Sequence, residues 1–104
     1  MFVDYIESFE KMLETALADD SVAQARPMSD SEIQYLGAFI KRKKQTRHPA
    51  IRAVNKDLQN TILGMISLIQ SETEDSSKTH ARKLLRRISE VALHMDSVEP
   101  RVIH

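Results

Sequence analysis

Apolar residues along this chain recur at intervals of three and four, and nowhere with the strict alternation of a strand, so the pattern predicts an all-helical protein. The first segment, 2–18, carries one apolar stripe of Phe2, Tyr5, Ile6, Phe9, Met12, Leu13, Ala16 and Leu17, opposed by Asp4, Glu7, Lys11 and Glu14. The stretch DDSVAQARPM reads as a loop. It is followed by the strongest start signal in the sequence: Ser29 as N-cap with Glu32 three residues later makes a capping box, and Met28 and Ile33 flank it as a hydrophobic staple. A second helix, 30–44, is expected from there, with its stripe on Ile33, Leu36, Gly37 and Ile40. Tyr35 and Phe39 lie four apart on nearly the opposite side. This helix is therefore either packed between two neighbours or presents an apolar face outward.

A third helix, 48–72, follows, with Pro49 in its first turn, where a missing N–H costs no hydrogen bond. Its first half has a narrow seam of Ile51, Val54 and Leu58, while the second half is apolar over most of its circumference, through Ile62, Leu63, Met65, Ile66, Leu68 and Ile69. The other side is a strip of short residues, Asn60, Gly64, Ser67 and Ser71. Gly64 costs about 1 kcal/mol of helix propensity relative to alanine, so it calls for a packing reason. After the polar turn SETEDSSK, a last helix at 78–97 places Ala81, Leu84, Leu85, Ile88, Val91, Ala92 and Met95 on its stripe, with Arg82, Lys83, Arg86 and Arg87 opposite and a tail at 98–104. The expected architecture is a small four-helix antiparallel bundle in one domain, 1–104, with helix two free to cross the others. A hundred-residue monomer has little apolar capacity to spare, which favours completing the core by homodimerisation.

Charge is segregated along a chain of zero formal net charge. Residues 1–37 hold eight acids against Lys11 and Arg26, and residues 38–56 hold Lys41, Arg42, Lys43, Lys44, Arg47, Arg52 and Lys56 with no acid. Asp57, Glu72, Glu74 and Asp75 return the next segment to negative. Such blocks steer partners and carry no chemistry of their own. The sequence has no cysteine, which removes disulfides and thiolate metal sites and points mildly to a reducing compartment. No apolar run reaches bilayer length and the acidic opening MFVDYIESFE is unlike a secretory signal, so a cytoplasmic protein without membrane contact is expected.

Candidate chemistry is sparse. His80 and His94 are fourteen residues apart on one helix, about 20 Å at the helical rise and too far to share a metal. The row Glu7, Glu10 and Glu14 belongs to a solvated face, and neither a phosphate loop nor a nucleophile elbow is present. The expectation is a non-enzyme with no catalytic, cofactor or metal residues.

Two binding readings remain. In the leading one the protein acts by binding a protein partner, as an inhibitor, antiactivator, immunity factor or adaptor, with Tyr35 and Phe39 as anchors and Leu63 and Ile66 as a self-association patch. In the alternative, Lys41, Arg42, Lys43, Lys44, Arg47, Arg52 and Lys56 contact the phosphates of a nucleic acid beside a helix N-terminus. Against it stand neutrality, few aromatic side chains and acidic faces, and cations in the last turn of helix two complement its dipole without any ligand.

Overall fold

The computed structural model describes residues 2–43 and 49–98, and all the regular structure in them is helical. Lys44, Arg47 and the tail from residue 99 lie outside the described residues. Among the described residues there are five helices where the sequence pattern predicts four: α1 Phe2–Ala16, α2 Asp19–Gln24, α3 Asp30–Arg42, α4 Pro49–Ser71 and α5 Asp75–Val98.

The additional helix, α2, corrects the loop reading of residues 19–28. Asp19 and Asp20 occupy its first turn, where the helix dipole favours negative charge, and Val22 and Ala25 are buried beneath it. Its six residues are too few to display a helical period, and it is held largely by α5. α5 also begins one turn earlier than the sequence suggests. The Glu72 carboxylate accepts the backbone N–H groups of Thr73 (3.0 Å) and Glu74 (2.9 Å), which folds the α4–α5 connection into three residues and frees Asp75 to open the helix.

The start of α3 forms as the sequence indicates. Ser29 Oγ accepts from Glu32 N at 3.2 Å, and Ser29 N donates to Glu32 Oε1 at 3.1 Å. Met28 and Ile33, on either side of the box, are buried in the same cluster.

α5 is the element around which the rest is arranged, packing on α1, α2 and α4. The core has two centres. One joins Met28, Ile33, Leu36 and Ile40 to Ile62 and Ile69 of α4 and to Leu85 and Ile88 of α5. The other joins Tyr5 and Phe9 of α1 to Ile51, Val91 and Met95. Ile62 thus shares a cluster with Leu85, and Ile51 one with Met95, so α5 runs back along α4. Ile51, Ile62 and Leu85 are fully enclosed, each contributing roughly 2–3 kcal/mol of apolar burial. α3 meets the second half of α4 near Gly37, where a Cβ would be in ordinary van der Waals contact with Ile66 Cδ1 at 3.7 Å.

Candidate functional site: an apolar groove between α3 and α5

Arg82, Lys83, Arg86 and Arg87 do not form a solvent face. They are half-buried and grip the stretch that runs from α2 into α3. Arg87 Nε donates to Ser21 O at 3.0 Å and Lys83 Nζ to Ala23 O at 3.2 Å, satisfying carbonyls that the short α2 leaves without helical partners. Arg86 Nε donates to Arg26 O, and its Nη2 bridges both oxygens of Glu32 at 2.9 and 2.7 Å. Arg82 donates to Met28 O at 2.8 Å and to Asp30 Oδ1 at 2.6 Å. Buried Ser89 completes the junction, its Oγ donating to Arg86 O at 2.8 Å beside the sulfur of Met28.

These bonds fix where α3 leaves the body of the protein. The α3 helix is anchored to α5 at its N-terminal end and packs thereafter on α4, so an open groove of about 370 Å³ remains between α3 and α5. Met28, Leu36, Phe39, Tyr35 and Leu93 supply its apolar surface, and Glu32, Arg86 and Glu90 its charged margin. Tyr35 is 72% exposed and Leu93 48%, two of the three large apolar side chains that the described surface leaves open. Phe39 is half-buried against the first core cluster.

The electrostatics of the margin are set by pairing. Glu32 is held down to about 2 by the Ser29 backbone N–H and then by the Arg86 guanidinium. Asp30 is lowered by its hydrogen bond to Arg82. Both are therefore fixed anions at neutral pH. Glu90, half-exposed, pairs with Arg87 at 3.1 Å.

The residues singled out from the sequence fall into separate places. Tyr35 and Phe39 line the groove together. Leu63 and Ile66 are half-buried and packed against the protein's own first cluster. Lys41, Arg42, Arg52 and Lys56 are exposed and Lys43 is half-exposed. Arg42 Nε donates to Ala38 O at 3.3 Å, at the C-terminal end of its own helix. His80 lies in a wide depression with Asp19, Asp75 and Lys83, and His94 in another with Lys11 and Glu90. Among the described residues no three histidines or carboxylates are grouped closely enough to hold a metal, and no helix is long and apolar enough to cross a membrane. Sequence reasoning missed Leu93 and Met28 as groove residues. Leu93 stands outside the apolar stripe of its helix, and that displacement was its available signal.

Comparison with protein-family models, with curated proteins and with solved structures finds no match to this chain.

Proposed function

We propose that this protein is a cytoplasmic, non-catalytic regulatory module that works by seating a protein partner in the α3–α5 groove, and that it does so as a homodimer. The observation that carries the reading is the position of Tyr35: a large aromatic side chain, 72% exposed, beside half-buried Phe39 and exposed Leu93, over a floor of Met28 and Leu36. Aromatic anchors above a preformed apolar floor, bordered by charges already held in place, are the features from which binding hot spots are made. Methionine in the floor lets the surface adapt to the side chain it receives. Occlusion of the partner's own working surface is the mechanism that follows, since nothing needs to turn over.

The test is affinity capture from the native host, followed by measurement of the recovered partner against two baits. Tyr35→Asp leaves the fold intact because the side chain is mostly in water, and it weakens the partner by at least about thirtyfold, the equivalent of roughly 2 kcal/mol for a lost aromatic anchor. Equal binding by both baits sinks the groove as the site. The exposed cations Lys41, Arg42, Arg52 and Lys56 support nucleic-acid binding as the second reading.

A further inference from the structure

We infer that the groove between α1 and α4 is a second docking surface, and that it receives a cationic amphipathic helix of a partner protein. This surface is separate from the α3–α5 groove and does not depend on it.

The groove is open, of about 270 Å³, and follows α1 from Ile6 to Leu17, just past its end, a length of about 16 Å at the helical rise. Its floor is apolar, with Phe9 buried and Ile6, Leu13, Leu17, Val54 and Leu58 half-buried. The charged residues that line it are Glu10 and Asp57, one on each margin and both exposed. Glu7 and Glu14, three before and four after Glu10, are exposed on the same side of α1. The carboxylates of these four acids form no ion pair with any described residue. In the α3–α5 groove, by contrast, Glu32 is held by Arg86 and Glu90 by Arg87. The Thr61 hydroxyl is spent on its own helix, donating to Asp57 O at 2.9 Å, so the polar side chains left open along the α1–α4 groove are acids. Neighbouring cations face elsewhere. Lys11 lines the depression that holds His94, and Arg52 and Lys56 stand roughly 150° round α4 from Val54.

Charge and shape name the occupant. Like charges on both margins of one apolar floor repel each other until cations arrive between them, so a basic segment gains there what a neutral or acidic one does not. The floor asks for apolar side chains on the face that carries those cations inward. An extended segment would lay unbonded N–H and C=O groups on a surface that offers them no partners, whereas a helix has already bonded its own. About three turns of helix cover the length of the floor. Ile88, the α5 residue in this groove, stands roughly 150° round its helix from Arg86, Glu90 and Leu93. The two grooves therefore open on opposite sides of α5, and both can be filled at once.

Titration of the isotope-labelled full chain with a synthetic three-turn amphipathic peptide of leucine and lysine, followed by amide NMR, tests this. Shifts should gather on residues 6–14 and 54–61. A leucine–glutamate peptide of the same length and a lysine–serine peptide of the same charge should leave those amides unmoved. Glu10→Lys combined with Asp57→Lys alters only exposed positions, so the variant should keep the circular dichroism of the wild type and weaken the leucine–lysine peptide at least about tenfold. The milder pair Glu10→Gln and Asp57→Asn should weaken it in the same direction. Tyr35→Asp, which disables the other groove, should leave this binding unchanged. Equal binding of the lysine–serine peptide would reduce the site to surface charge. Shifts centred on Tyr35 and Leu93, affinity indifferent to Glu10→Lys with Asp57→Lys, or no binding at all would equally overturn the inference. So would shifts at the same residues that grow with protein concentration without peptide, since a second copy would then be the occupant.

Discussion

Ser29 and Glu32 do more than begin a helix. The capping box satisfies two N–H groups at the start of α3, and the same Glu32 carboxylate receives Arg86. Ser29→Ala should cost about 1 kcal/mol, read as a lower urea midpoint with an unchanged slope. The pH dependence follows from the direction of the shift. Glu32 is depressed in the folded protein, from an ordinary 4.5 to about 2, so the folded state favours its ionised form. Its contribution is complete above the ordinary value and is lost progressively as pH falls toward about 2. Asp30, lowered by Arg82, acts in the same sense. Glu32→Gln keeps an acceptor for the Ser29 N–H but removes the charge facing Arg86, so its unfolding midpoint should decline less steeply across that acidic window than the wild type's. Parallel declines would show that ionisation of Glu32, held by the Ser29 N–H and by Arg86, adds nothing to stability in that window.

At the level of elements, the basic row of α5 works as a clamp on the stretch from Ser21 to Glu32. Arg86→Ala removes donors from the Arg26 carbonyl and the Glu32 carboxylate in a half-buried setting and should cost about 2–3 kcal/mol, the scale of charge-assisted bonds lost from one side. Amide hydrogen exchange should accelerate in α2 and the first turn of α3 well before it does in α4 around Ile62. Uniform acceleration would mean that the clamp is not local. These elements also show what the sequence makes legible. α3 and α4 stand out because caps and three-to-four spacing are local signals. α2 does not, because six residues with Val22 alone buried in them carry no period, and the groups that stabilise it come from α5. Arg82, Lys83, Arg86 and Arg87 look like a wet face because the backbone carbonyls they meet leave no mark in a sequence. Tyr35 and Phe39 were legible as a second face of their helix, while the groove they line was not, since its far wall is set by how α3 departs from α5.

Over the whole molecule, the engagement of the α5 cations changes the meaning of the charge blocks. Much of the positive charge after residue 80 is committed to Asp30, Glu32, Glu90 and carbonyl groups. The exposed described cations outside it include Lys41, Arg42, Arg52 and Lys56. A phosphate-binding surface built on six cations would lose roughly a thousandfold in affinity between about 50 and 200 mM salt. The expected outcome is no retention of DNA or RNA with that signature in a mobility shift. Its appearance would move the basic segment ahead of the groove.

The clamp has a consequence for how the chain acquires its shape. Arg82, Arg86 and Arg87 reach back 52 to 66 positions to the groups they hold, a long span for an all-helical protein. On a ribosome, Val22, Met28 and the first turn of α3 emerge far ahead of the side chains that secure them, and must stay loosely ordered until most of the last helix has been made. The first third of this polypeptide is thus the part most dependent on the arrival of its final quarter, and a strand of messenger cut short before residue 82 would yield a product with its apolar N-terminal faces uncovered.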